Sequence, residues 1–481
     1  MGSDIEWKGI GNAGDSFSRS DSDLVSREKE VAGGGSGLTS MVTVHKSRAR
    51  KFQRKSSRDV SAQDLATSGA TARDEALALL SATSPRDKSY SAPQPSINGS
   101  KVGNDLCPKT SNWGILWQMQ KTKVVNVLFV FLPIAQLSIW QGWGDTWIFV
   151  TNFLAMVPLA SLLGDFTESL ADHLGQTAGG LLNASFGNAP ELVFSAIALR
   201  ADQMRVVQAS LMGSVLSNIL LVLGSSFFFG GLFSGKKEQK YNATSAVGNT
   251  SMLLMSSLAL FAVSPIAEYY KVDNDDELFV SRVLAVFMLL MYVQLMIFQF
   301  GTHSYMFVDD DSDDDDAEEE DKMTVMFAMC GLAAVTLGVA LFSENLVGAI
   351  DGFTEQQDLS KTFVGLILIP IIGNVVEHIV AVTVAVKDKM ELSLGISVGS
   401  ACQVSMFVIP FSVIMGWFMD HPLTLNFPRF EIKIYLVCIL IVSHLVTAGS
   451  SNWLAGSLLI TCYFIVALAF WFERVLDYQV P

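Results

Sequence analysis

Charge is scarce in this chain, and so is cysteine. Only 16% of the 481 residues are Asp, Glu, Lys or Arg, whereas 50% are hydrophobic, and the 31 Phe outnumber the 9 Tyr and 9 Trp together. That balance belongs to a membrane protein and not to a solvated globular domain. The five cysteines, Cys107, Cys330, Cys402, Cys438 and Cys462, are scattered, four of them in apolar runs. Their scatter suggests neither a disulfide framework nor a CxxC-type metal site. The formal charge of −15 is concentrated in one acidic segment and is no sign of a nucleic-acid surface, so no nucleic-acid partner is expected. The first residues also lack an apolar core followed by a small-residue cleavage site, so no secretory signal peptide is expected.

What the chain has in abundance is polar sequence at one end and apolar runs after it. Residues 1–112 are rich in Ser, Gly, Asp and Arg, without a sustained apolar period, and read as a disordered tail. Within it Lys46, Arg48, Arg50, Lys51, Arg54, Lys55 and Arg58 form a basic cluster beside Ser56 and Ser57, a solvated linker or a site for anionic lipid.

The apolar runs lie near 124–142, 146–164, 178–199, 205–232, 247–270, 278–301, 323–350, 362–386, 392–418, 431–448 and 453–472. A helix crosses a hydrocarbon core of about 30 Å with roughly 20 residues. The expected fold is therefore an all-α integral membrane protein of about eleven transmembrane helices. Its divisions are the tail 1–112, a leading helix in 113–145, a first five-helix repeat in 146–301, an acidic loop in 302–322, a second five-helix repeat in 323–473 and a short end, 474–481. Basic segments favour the cytoplasmic side, and the tail with Lys121 and Lys123 leads into the first run, which places the N-terminus in the cytoplasm.

Two polar phrases interrupt this apolar text. Gly187-Asn188-Ala189-Pro190-Glu191 and Gly373-Asn374-Val375-Val376-Glu377-His378 lie 186 residues apart, and so do Gly213-Ser214 and Gly399-Ser400. Equal offsets across both motifs mark a duplicated unit, and an odd number of crossings between its copies inverts one relative to the other. Glu191 and Glu377 stand in the middle of membrane-length runs. An ionised carboxylate at that depth costs about 3 kcal/mol, so it marks a pathway or a binding site.

Helical spacing puts Asn183, Gly187 and Glu191 on one face, with Asn188 three residues before the Glu. Asn374 and Glu377 repeat the pattern, and Ser210, Ser214, Ser217 and Asn218, then Ser393, Ser397, Ser400 and Gln403, line the partner runs. Carboxylate, amide and hydroxyl oxygens without thiolate suit a hard cation such as Ca²⁺ or Mn²⁺. For Ser210, Ser217, Ser393 and Ser397 plain helix packing is an equal alternative. Two carboxylates at one site are neutralised by one divalent cation or by two protons, so metal and protons compete there. His378 adds a titratable neighbour, about 100° around the helix from Glu377.

The stretch Gly175-Gln176-Thr177-Ala178-Gly179-Gly180-Leu181-Leu182-Asn183-Ala184-Ser185-Phe186-Gly187-Asn188, and Gly373 to His378 with Gly399 to Pro410, resemble the two signature repeats of the cation/proton exchangers called CAX, within the calcium/cation antiporter superfamily. The resemblance covers about residues 115–475. It implies an antiporter, not an enzyme, that moves cytosolic Ca²⁺ into an acidic compartment such as a vacuole in exchange for H⁺, with Ca²⁺ and H⁺ as cargo and no resident cofactor. It also implies Glu191 and Glu377 as cation and proton ligands, Asn188, Asn374, Gln403, Ser214 and Ser400 as supporting residues, and His378 and Glu168 as proton-coupling candidates. The acidic loop of the family corresponds to Asp309–Asp321, with Asp309, Asp313, Asp316 and Glu319 as regulatory candidates. Pro190 departs from the CAX pattern toward the sodium-coupled relatives. A sodium-coupled calcium exchanger is thus the nearest alternative, and a cation channel with the same acidic pair a further one.

Overall fold

The computed structural model describes residues 111–121, 123–269, 274–303 and 322–477. The tail apart from its last two residues, its basic cluster, and the acidic segment with Asp309, Asp313, Asp316 and Glu319 lie outside the described residues.

Every apolar run is helical, because backbone that meets lipid must satisfy its hydrogen bonds within its own segment. In chain order the elements are α1 (Asn112–Lys121), a 3₁₀ turn (Val124–Val130) leading into α2 (Phe131–Trp140), α3 (Asp145–Ala171), α4 (Gly175–Phe186), α5 (Ala189–Arg200), α6 (Met204–Phe233), β1 (Gln239–Lys240), α7 (Ala243–Tyr269), α8 (Asn274–Ile297) with a π turn at Phe298–Thr302, α9 (Val325–Gln356), α10 (Lys361–Val386), α11 (Met390–Phe418), α12 (Arg429–Val446), β2 (Ser450–Ser451) and α13 (Trp453–Asp477).

Eight helices among the described residues are long and apolar enough to cross a membrane, and a ninth is counted if Asn112–Lys121 and Val124–Trp140 form one bent span. That is fewer than the eleven expected: besides the bent first run, two runs account for the difference. The third, 178–199, is broken into α4 and α5, each of 12 residues. The tenth, α12, has 18 residues but carries Arg429, Glu431 and Lys433 in its first turn and a half.

The bonds between loops sort into two faces that alternate along the chain. On one face Asn112 is bonded to Thr324, Lys123 and Gln120 to Asp165, and Lys236 and Gln239 to Asp388. The two-residue strands β1 and β2 pair antiparallel there, joining the α6–α7 loop to the α12–α13 loop. We call this the ribbon face. Beside the strands the Tyr241 hydroxyl donates to the Val446 carbonyl at 3.2 Å, and burial pushes the phenol up to about 12, so it stays a donor. On the opposite face Thr146 donates to Gln356 (2.7 Å), Gln203 to Asp351 (3.1 Å), Arg205 to Thr362 (3.2 Å) and Gln208 to the Thr424 carbonyl (2.9 Å), while His421 pairs with Asp202 (2.8 Å). The segment containing Glu191, α4 with α5, therefore runs from ribbon face to opposite face, and α10 with Glu377 runs back.

At the centre stands α6, with 89% of its most apolar window buried, against 22% for α9 and 28% for α13, which present their flanks outward. The first helices of the two repeats, α3 and α9, lie side by side. Phe149 stacks on Phe353 with centroids 4.0 Å apart, and Asn345 donates to Asn152 at 3.3 Å.

Candidate functional site

The break between α4 and α5 follows from its sequence. Gly187 ends α4 with its N–H bonded to the Asn183 carbonyl at 2.8 Å, and Asn188 has the non-helical angles φ −100°, ψ 22°. Pro190 then sits in the first turn of α5, where its missing N–H costs nothing, whereas mid-helix its ring would crowd the carbonyl four residues back. In the second copy Val375-Val376 replaces Ala189-Pro190, and α10 continues through Gly373-Asn374. Its own proline, Pro370, follows a π turn at Val364–Leu368, a wider turn of the kind that absorbs a lost backbone bond. One expectation is thereby corrected: Asn183 does not share a helix with Glu191, but lies on α4 and is exposed.

The break places Glu191 in the first turn of α5, where the helix dipole favours negative charge. Its carboxylate lies against Gly373 of the second copy, so close that a Cβ on that glycine would overlap Oε1. Glu377, one turn further along α10, is within electrostatic reach of Glu191. The Oε2 atoms of both residues are buried and have no hydrogen-bond partner among the described residues.

Three hydrogen-bonded contacts cross between the copies around this pair. Asn188 donates to Gln403 Oε1 at 2.8 Å. Asn374 and Ser214 are joined twice: the Ser214 hydroxyl donates to Asn374 Oδ1 (3.1 Å), and Asn374 Nδ2 donates to the Ser214 carbonyl (3.0 Å). Asn218 donates to the Ser400 hydroxyl at 3.0 Å, and its own buried Oδ1 has no partner among the described residues. Each partner helix turns to π geometry here, at Ser217–Val222, which contains Asn218, and at Val404–Val408, just past Gln403. Such turns concentrate at functional sites.

The structure thus gathers Glu191, Glu377, Asn188, Asn374, Gln403, Ser214 and Ser400 at one junction of the two repeats. It does not bring Glu168 there. That residue is exposed in the last turn of α3, twelve residues or about 18 Å along the helix from Met156, which lines a cavity beside Glu191. His378 is half-buried on α10, next to Glu377. Ser210 and Ser397 bond to carbonyls of their own helices at 3.0 and 2.9 Å, as packing hydroxyls do.

Several residues escaped the sequence reading. Gly373 was legible as part of the motif but not as the seat of the Glu191 carboxylate. Asn218 was one member of a stripe, with nothing to separate it from the serines. Asp165 and Glu431, both buried carboxylates, are paired with Lys123 and Arg205. Their partners lie on other segments, so spacing along the chain carries no trace of the pairing.

Among the described residues no group of three or more His, Cys, Asp and Glu is placed to hold a metal ion together. The acidic content of the junction is thus two carboxylates, surrounded by neutral amide and hydroxyl groups. One divalent cation matches that charge, and its preferred oxygen ligands are present.

Helical repeats of opposite orientation, joined at a buried carboxylate pair, define a membrane-embedded ion-exchange architecture. The profile of the sodium/calcium exchanger protein family matches residues 145–301 and 327–472, and the chain belongs to that family. It is 41% identical over 372 residues to the Ca(2+)/H(+) antiporter of Synechocystis sp., covering 74% of this chain and 99% of the relative. It is 40% identical over 351 residues to the vacuolar calcium ion transporter of Schizosaccharomyces pombe, covering 72% and 84%. The solved structure of native YfkE resembles it with a TM-score of 0.63 at 32% identity, covering 72% of this chain and 99% of that one. These relatives bear out the resemblance to cation/proton exchangers.

Proposed function

We propose that this chain is a secondary active antiporter that moves Ca²⁺, and related divalent cations such as Mn²⁺, across a membrane in exchange for H⁺. The observation that carries the reading is the pair of carboxylates, Glu191 and Glu377, supplied by repeats of opposite orientation and each with one buried oxygen that has no partner among the described residues. The names of its relatives, a Ca(2+)/H(+) antiporter and a vacuolar calcium ion transporter, support it.

The chemistry follows from electrostatics in a medium of low dielectric. Two anionic groups that close together are costly unless neutralised, and one Ca²⁺ or two protons does so. A loaded site is therefore near neutral in either form, and the empty, doubly charged site is the costly one to reorganise. Exchange is favoured over leak because the protein changes conformation in its two neutral forms. Asn188, Asn374, Gln403, Ser214 and Ser400 position the acids and supply neutral oxygen, and His378 is a candidate proton relay beside Glu377. We assign the membrane to a vacuole or another acidic organelle, with the N-terminus and the ribbon face on the cytoplasmic side, as the basic residues near Lys236, Lys237 and Lys389 on that face favour.

Pro190 loses its weight as a pointer to sodium, because it has a structural account in the break before α5. The test is Ca²⁺ uptake into vesicles of purified protein under an imposed pH gradient, with and without Na⁺. Uptake is expected to follow the pH gradient, and acidification on the Ca²⁺-loading side to raise the apparent KM. Uptake driven by Na⁺ alone would overturn the reading.

A further inference from the structure

On α11, Glu391, Gly395, Gly399 and Gln403 stand four residues apart in a single row, descending from the ribbon face to the Asn188–Gln403 bond over about 18 Å. This row forms one wall of a cavity of about 220 Å³, completed by Ser245 and Asn249 of α7 and by Gln299 and Phe300 on the π turn that ends α8. The wall is polar. Gln299 donates to Asn249 at 3.1 Å, and Glu391 at the mouth accepts the Asn242 N–H at 3.3 Å. Gly395 and Gly399 are not packing glycines, since a Cβ at either position would meet nothing within 4 Å among the described residues.

The 186-residue offset locates the equivalent row in the inverted repeat: Arg205, Ala209, Gly213 and Ser217 on α6. There the space is filled. A Cβ at Gly213 would overlap the backbone of Leu366, in the π turn of α10, and Arg205 at the mouth is paired with Glu431. The cavity on this side, beside Glu191, holds only about 30 Å³ and is walled largely by Met156, Phe194, Leu211, Ile369 and Ile372. That is room for about one water. The same offset carries Leu366 onto Gly180 of α4, which in this conformation lies against the ring of Phe300.

We propose that the cavity along Glu391, Gly395, Gly399 and Gln403 is the cation's access route from the ribbon face, and that it closes when α4 seats Gly180 on Gly399, the counterpart of the Leu366–Gly213 contact that seals the opposite face. The inference rests on the exchange reading above. Two copies of one unit, inverted, contain both seals, and the structure shows one made and the other open. Closure exchanges the Gly180 contact with Phe300 for one with Gly399, while α10 parts from Gly213 and opens the route beyond Glu191. Glu391 lies at the mouth, where a carboxylate raises the local cation concentration.

The experiment uses the full-length protein in vesicles. Gly399→Ala adds a methyl group where this conformation has open space, so the variant folds and binds Ca²⁺ at equilibrium like the parent. In the closed conformation that methyl meets Gly180, so pH-driven Ca²⁺ uptake is expected to slow by about tenfold or more. A thiol introduced by Gly395→Cys is expected to react with a membrane-impermeant methanethiosulfonate from the ribbon face only, above the background of the parent chain. Adding Gly399→Ala keeps that reaction fast, and adding Gly213→Ala, which disturbs the opposite seal, slows it. Uptake by Gly399→Ala at the parental rate, or labelling of Gly395→Cys from the opposite face, would overturn the proposal. Failure of the exchange reading looks different: the parent itself shows no pH-driven uptake, while the labelling pattern still decides where the route opens.

Discussion

Gly373 of the second repeat holds the carboxylate of Glu191 of the first against its bare Cα, so that the missing side chain of one motif is the space occupied by the acid of the other. The two motifs are parts of one site because of this contact. Gly373→Ala adds a methyl group that overlaps Glu191 Oε1 and must displace the acid. Ca²⁺ uptake is expected to fall by about tenfold or more, as displaced ligands of this kind do, with the protein still monodisperse in detergent. Uptake at the parental rate would show that the carboxylate has another place to go.

Glu191→Gln and Glu377→Gln keep the shape of each side chain and remove its charge and its titration. Each is expected to abolish pH-driven Ca²⁺ uptake while the protein inserts and folds. Glu→Asp at either position should be partly tolerated, since Ca²⁺ accepts flexible coordination. Wild-type uptake by either glutamine variant would remove that residue from the site.

Gln403 accepts the amide of Asn188 at 2.8 Å from the other repeat. Gln403→Leu removes that acceptor and loosens Asn188 beside the acid pair. The apparent Ca²⁺ affinity is expected to drop about tenfold, equivalent to about 1.4 kcal/mol. Calcium titration calorimetry on the purified variant measures it, and an unchanged Kd would place Gln403 outside the cation's surroundings.

The paired charges Arg205 and Glu431 fasten α6 to α12 near the opposite face, with the Glu431 side chain fully buried. Arg205→Leu strands that carboxylate and is expected to cost about 3 kcal/mol of stability. The double variant Arg205→Leu with Glu431→Leu should regain most of the loss, because no buried charge remains. Thermal unfolding in detergent of the parent and both variants tests this. A double variant no more stable than Arg205→Leu would refute the account.

On the ribbon face, hydrogen bonds from Lys236 and Gln239 hold the Asp388 carboxyl below its usual 3.8. A depressed carboxylate contributes stability that is full above the unfolded value and is lost as the pH falls through the folded one. The contribution is small, since Lys236 is largely exposed. Lys236→Met should therefore lower the unfolding temperature slightly at pH 6, and the two proteins should converge well below pH 3.8. A difference that widens on acidification would contradict the sign.

The amino-acid sequence by itself determined the helical membrane class, the duplication and its inversion, and the two acids at the centre. Apolar runs, a fixed offset and an ionisable group in lipid are each costly to produce by other means, so they are legible along one dimension. It also contained the reason for the break before α5, in Pro190 against Val376, although the run 178–199 reads as one span until the geometry of Asn188 is seen. The tertiary structure alone decided which oxygens meet. Asn188 reaches Gln403, Asn374 reaches Ser214, and Gly373 seats Glu191, each across more than 150 residues of chain. Such pairings depend on the separation and rotation of packed helices, which no periodicity within a helix records. For the same reason only the structure distinguished Gly213 from Gly399: identical in their motifs, one is filled by a neighbouring backbone and the other has no such neighbour among the described residues.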